Sequence, residues 1–322
     1  MKKFTIGAIL FTISTFTACI KDKNPIVSTT DRYSSLSSFY GTNGVPMQHF
    51  TVNGQTGGSF TTPQGTMVSI PPNCFVDNSN NPVTGNVIIE FKDIYTKSDM
   101  LMSNMPPTTY FGAPLKSGGE FYIKAIANGS AINLNGHVPI KITQPLNGWA
   151  SDKMMQAFKF ALNDSVIGPG PFDTVACWQP SAYDTVTTNI SNYIFSLYNF
   201  SSPVDSGSWC NSDNSQYFST YTQTKFTIQT TDDSLNQLNT NVFLAFNGLN
   251  SLVHVYMYNS SFPYSFAPLG LQCTVIAIET RANGQFRAAF TPTTITANGT
   301  VNFNCMPLTT AAFKTKMATY NH

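Results

Sequence analysis

The residues that could do chemistry are few and scattered. Four histidines, His49, His137, His254 and His322, lack the i, i+4 spacing that sets two imidazoles on one helix face for zinc. Glutamate occurs only at Glu90, Glu120 and Glu279. Glycosidic hydrolysis needs two carboxyls facing one bond, about 5–9 Å apart, and nothing in the spacing brings such a pair together. There is no GxSxG elbow and no phosphate-binding glycine loop. The chain therefore assigns no catalytic residue, no metal ligand and no cofactor, and the expectation is a protein that is not an enzyme. Two acidic stretches, 77–81 and 205–213, carry oxygen ligands of the kind calcium takes. Neither has the intervals of a known calcium loop, and Asn and Asp also serve turns for local reasons.

Aromatic residues offer a binding chemistry instead. SGSWCNSDNSQYFSTY (206–221) concentrates Trp209, Tyr217, Phe218 and Tyr221 in a polar, loop-like stretch, and VYMY adds Tyr256 and Tyr258 on one strand face. Flat rings can lie against sugar C–H groups; the competing use is core and edge packing of a β-sandwich. Four short patterns, Asp164-Ser165-Val166, Asp173-Thr174-Val175, Asp184-Thr185-Val186 and Asp233-Ser234-Leu235, resemble the O-glycosylation tripeptide of exported Bacteroidetes proteins. That resemblance implies glycans on Ser165, Thr174, Thr185 and Ser234.

The N-terminus carries a different signal. Lys2 and Lys3 precede an uncharged run, residues 4–18, that rises only about 22 Å as a helix, too short for a bilayer core. It fits the apolar region of a secretory signal. The run ends at Phe16-Thr17-Ala18-Cys19, which resembles the lipobox of bacterial lipoproteins, with Phe16 where Leu is usual. The resemblance implies cleavage before Cys19 and acylation of that cysteine. Two or more acyl chains anchor stably where one does not. An ordinary secretory signal with an incidental cysteine is the alternative. Ile20 lacks the Asp that favours inner-membrane retention, so the expected address is the outer membrane, on either its periplasmic or its outer face. Residues 19–48, rich in Ser, Thr and Asn, read as a flexible tether.

Composition supports export and β-structure. Charged residues make up 10% of the chain, against the ~25% of an average soluble protein. Thr, Phe and Tyr are plentiful and turn formers are frequent. A net charge of +1 argues against nucleic acid, which demands a basic face. Five cysteines stand beyond Cys19: Cys74, Cys177, Cys210, Cys273 and Cys305. A Cys273–Cys305 bridge and a set of buried thiols are both open.

Along the chain, strands follow one another from His49 to Gln144, NVIIEFKDIY (86–95) being the strongest, with a helical turn at KSDMLMSN. GGSFTTPQGTMVSIPPNCF (57–75), followed by that strand, is similar to the opening of the ZU-type β-sandwich of ankyrins and netrin receptors. SGGEFYIKAIANGSAINL (117–134) resembles segments of bacterial surface lipoproteins carrying such a domain. The family implies protein association without catalysis. Some relatives self-cleave at His-Phe-Ser, which His49-Phe50-Thr51 mimics with Thr for Ser. MMQAFKFAL (154–162) reads as a strand, with a helix as the alternative. Further strands run from Tyr193, and LTTAAFKTKMATY (308–320) has helical spacing.

The expectation is all-β: signal peptide 1–18, lipidated Cys19 and tether 19–48, ZU-like sandwich 49–146, connecting region 147–190, and second sandwich 191–322 with a C-terminal helix. The expected function is non-catalytic binding or structural association in the cell envelope. Its partners would be the membrane through Cys19 and an envelope protein or, alternatively, a surface glycan held near Trp209.

Overall fold

The computed structural model describes residues 31–109, 112–163, 175–200, 208–232, 234–236 and 238–321. Cys19, Ser165 and Thr174 lie outside them. A first helix, α1 (Leu36–Asn43), precedes β1 (Gln48–Asn53), β2 (Gly58–Thr61), β3 (Met67–Ile70), β4 (Phe75–Val76) and β5 (Asn86–Ile94). After α2 (Lys97–Met102) come β6 (Lys116–Ala127), β7 (Ser130–Ala131), β8 (Asn133–Leu134), β9 (Ile140–Pro145) and β10 (Gln156–Asn163). Next are β11 (Val175–Pro180), β12 (Thr185–Thr188), β13 (Asn192–Leu197) and β14 (Ser208–Asn214). A 3-10 turn at Tyr217–Thr220 leads to β15 (Gln223–Thr230), β16 (Thr240–Phe246), β17 (Leu252–Val255) and β18 (Phe262–Pro268). The chain closes with β19 (Gln272–Thr280), β20 (Phe286–Thr294), β21 (Gly299–Phe303), β22 (Met306–Pro307) and α3 (Thr310–Ala318).

The protein is mostly β, built from several antiparallel sheets with a short C-terminal helix. One sheet runs β1-β5-β6-β14-β10-β11, with β7 on β6, and another runs β12-β13-β9-β3-β2. Alternation along β5 turns Val87, Ile89 and Phe91 inward. There they meet Val68, Ile142 and Phe195 of the second sheet in one core. Two further sheets, β18-β15-β21 and β17-β16-β19-β20-β22, share a core containing Phe226, Ile228, Leu244 and Val275. The β15–β21 pairing in that core is parallel.

A third apolar layer joins these halves. Phe243, Ile276 and Ile278 project from the other face of β16 and β19 onto Phe39 of α1, Leu101 of α2, Phe313 and Met317 of α3, and Trp178. This is why the run CTVIAIET is apolar without alternation: every residue from Cys273 to Thr280 is buried, because both faces of β19 are covered. In α3, Thr309 caps the amide of Ala312, and Phe313 and Met317, four residues apart, face the layer together.

Three expectations need correction. The tether does not extend to residue 48: Ser35 caps α1, and Phe39, fully buried, stacks on Phe286 at 4.7 Å. Residues 147–190 are not merely connecting, since β10, β11 and β12 are members of the first two sheets. β13 and β14 also pair there, with β9 and β6, so a boundary at 191 would cut both sheets. The physical reason is non-local pairing. β6 is completed by a strand some ninety residues later (Glu120 opposite Asn211), which local patterning cannot show. The MMQAFKFAL segment is a strand from Gln156 onward, and Cys74, Cys177, Cys210, Cys273 and Cys305 are all buried.

Candidate functional site: a groove beside Trp209

β14 is the strand on which the site depends. Its sequence SWCNSDN looks like a polar loop, yet it lies between β6 and β10, with Cys210 and Ser212 facing the first core. Trp209 projects from the opposite face, paired across the sheet with Tyr122, their rings 5.4 Å apart. The SGGE segment of β6 beside it has a steric explanation. A Cβ on Gly118 would come 2.6 Å from the Tyr193 ring, and one on Gly119, at φ +125°, 2.4 Å from the Tyr95 ring. Opposite these glycines β14 bulges between Asn211 and Asp213.

The exposed edge of Trp209 lines a groove of about 760 Å³. Tyr40 and Gly41 of α1, Lys92, Asn104, Leu238 and Asn241 line it together with Trp209. Asn241 donates its amide to the Tyr40 hydroxyl, and burial pushes the ionisation of that phenol well above its ordinary range. Asn104 ends the turn after α2 with a left-handed backbone, φ +52°, a conformation Asn tolerates. Its side-chain Oδ1 is buried and accepts no hydrogen bond. The groove is thus lined by an indole, a phenol, two side-chain amides and a lysine. That set suits a polyhydroxylated ligand, whose hydroxyls both donate and accept while its C–H face covers a ring.

The other aromatic candidates are not gathered there. Trp209 and the 3-10 turn carrying Tyr217 and Tyr221 lie toward opposite ends of β14, ~17 Å of strand apart. Tyr217 packs edge-on to Phe218 and lies under Lys116 Nζ, 5.0 Å from the ring centroid. Tyr256 is near enough to Tyr40 to oppose its ionisation, but its ring lies 4.3 Å from His254 and does not line the groove. His254 in turn stacks on Phe243, and burial pulls its pKa down to about 4. Tyr258, 67% exposed, sits in a tight turn closed against Ser261.

Of the described glycosylation candidates, Thr185 is exposed at the start of β12, an edge strand. Its neighbour Asp184 is buried and holds Lys159 at 2.9 Å and the Tyr198 amide at 2.8 Å. The Ser234 hydroxyl is engaged, donating to Asp232 at 2.6 Å and receiving Arg281. His49-Phe50-Thr51 is regular backbone in β1, with His49 3.7 Å from Glu90 on the neighbouring strand. The 77–81 stretch is a closed turn in which Asp77 accepts the amides of Ser79 and Asn81.

Comparison with known proteins finds no matching family, no similar characterised protein and no similar solved structure. Sequence reasoning found Trp209 but missed Tyr40, Lys92, Asn104 and Asn241. Tyr40 and Asn241 are 201 residues apart, so only the fold brings them together. The one local signal was Asn104, an Asn just past a short helix.

Proposed function

We propose that this chain is a lipoprotein anchored in the outer membrane through acylated Cys19, displaying two β-sandwiches in tandem as a non-catalytic binding or association module of the cell envelope. The anchor rests on the Phe16-Thr17-Ala18-Cys19 segment. Support for the ZU-like reading comes from Gly57. A Cβ there would lie 2.2 Å from the Ile70 carbonyl oxygen, so the Gly57-Gly58 and Ile70-Pro71-Pro72 motifs depend on each other. The observation that carries the binding reading is the groove beside Trp209, and its polar lining favours a glycan as the ligand over a protein surface.

Two experiments test this. Pull-down of the protein from native cells, with Cys19→Ala as the unanchored control, would recover it from outer-membrane fractions only when Cys19 is present. Glycan-array binding by the soluble body should fall at least ~10-fold in Trp209→Ala, a loss of about 1.4 kcal/mol. A single stoichiometric envelope protein, with no glycan retained, would favour association through residues 49–146 instead. Membrane attachment unchanged by Cys19→Ala would overturn the anchor.

A further inference from the structure

Buried acids elsewhere in the chain are answered. Asp93, fully buried, accepts from Thr62 at 2.5 Å, Thr66 at 2.6 Å and Gln48 at 3.0 Å. Asp184 has Lys159, and Glu279 has Arg281 and Arg287. Glu120 and Asp213 are different. Both have no exposed surface, they sit on neighbouring strands at the β14 bulge, and Asp213 stands near enough to Glu120 to oppose its ionisation. Among the described residues neither forms an ion pair. Glu120 Oε2 and both Asp213 oxygens receive no hydrogen bond of regular geometry; the Ser117 hydroxyl stands near Asp213 but is given to Asn211.

A second element reaches the same place. Asn250, 2% exposed in the β16–β17 turn, donates its Nδ2 to the carbonyls of Ser117 and Tyr95. Its own Oδ1 is left without a donor, as is the hydroxyl of Ser251. Ser117 gives its hydroxyl to Asn211 Oδ1 at 2.9 Å, and the Asn211 amide is directed at Glu120 Oε1 from 3.4 Å. Lys97, the buried cation that α2 sets against this turn, does not supply the missing charge. Its Nζ is held 2.8 Å from the carbonyls of Phe246 and Leu249.

We propose that Glu120 and Asp213, with Asn250 Oδ1 as a further donor, form a buried site for one divalent cation, assigned to calcium because its donors are all oxygen and magnesium gives up its waters reluctantly at a dry site. Two carboxylates match a charge of +2, and carboxylate, amide and hydroxyl oxygens are the donors calcium takes. Acids are needed there for that reason; Gln and Asn would fill the same space without burying charge. The ion ties β6 and β14 of the first pair of sheets to the β16–β17 turn of the second. Its ligands are buried, so it is a structural ion captured on folding. This inference stands whether or not the Trp209 groove binds a glycan.

The mature chain, purified from calcium-containing medium without chelator, should carry one calcium per molecule by native mass and elemental analysis, and release it only slowly to EDTA. Refolded in about 2 mM calcium, above the dissociation constants usual for extracellular calcium modules, it should melt about 5 °C higher than the chain refolded in EDTA. The double variant Glu120→Gln, Asp213→Asn should lose that shift entirely while melting in EDTA no lower than the metal-free parent. Metal analysis of the parent chain decides the matter without any variant. No divalent metal retained, together with identical melting in calcium and in EDTA, would overturn the site and leave a pair of protonated acids.

Discussion

Two acidic clusters in this molecule are built from the same residue types and resolved in opposite ways. In the second pair of sheets, Asp232 and Glu279 face Arg281 and Arg287, which bridge both acids. In the first, Glu120 and Asp213 face only amides and hydroxyls. One cluster is electrically closed within the chain and the other is open by two charges. A buried charge without a partner costs several kcal/mol, so the open cluster must be answered from solution, by protons or by a cation. The closed one depends instead on its arginines.

Breaking the closed cluster should have the largest effect. Arg287 holds Glu279, Asp232 and the Cys305 carbonyl together. Arg287→Met should cost about 3–5 kcal/mol in urea unfolding, since it leaves a buried acid short of its partner. The matched test is a pair of acid-to-amide changes. Glu279→Gln should destabilise, whereas Asp213→Asn, measured in EDTA, should be neutral or stabilising. Equal losses at both positions would erase the distinction between the clusters.

Next comes the backbone that shapes the open cluster. Gly119→Ala forces a Cβ into the Tyr95 ring at a φ that L-residues rarely adopt, and should cost about 2–4 kcal/mol by thermal or urea melting. Gly129→Ala is the control: its φ of +77° is also left-handed, but a Cβ there meets nothing within 4 Å. It should cost about 1 kcal/mol. Calcium retention should fall in Gly119→Ala and hold in Gly129→Ala, because only the first disturbs the strand opposite the bulge.

These clusters also mark where the sequence can be read and where it cannot. β5 was legible from alternation, and β19 from a continuous apolar run, because in both the burial is apolar. β14 was not, because Asn211, Ser212 and Asp213 are fully buried polar residues that read as a loop. Only pairing with β6 and cover from the β16–β17 turn put them inside. α1 was hidden for a related reason: two apolar anchors, Leu36 and Phe39, lie within a Ser-rich segment that looks like a tether. At the groove, aromatic density pointed to Trp209, whereas its amide partners arrive from α2 and β16 by long-range contacts. Polar residues whose role depends on distant partners carry no local period.

The smallest effect is on the pH dependence, in which buried His254 opposes the buried acids. His254 belongs to the second pair of sheets, and burial sets its folded pKa at about 4 against 6.5 for the free side chain. Between those values the unfolded chain binds more protons than the folded one. Its contribution is therefore complete above pH 6.5 and lost as pH falls toward 4, about 2 kcal/mol after allowance for partial exposure. Glu120 and Asp213 act oppositely. Burial and mutual repulsion raise the Glu120 pKa and burial raises that of Asp213, so without metal the folded state holds protons that the unfolded state releases. Their contribution is present below the ordinary carboxylate range and declines as pH rises above it. In metal-free wild type the two trends offset each other between pH 4 and 6.5. In His254→Phe, urea melts across that range should show stability falling steadily as pH rises; calcium should remove the part of the fall due to Glu120 and Asp213, by holding both ionised in the folded state, and leave the part due to Glu279, whose pKa burial raises to about 7. A metal-free profile in that variant that calcium leaves unchanged would mean that the open cluster is already neutralised within the chain, and that the contrast with the arginine-bridged cluster is one of geometry alone.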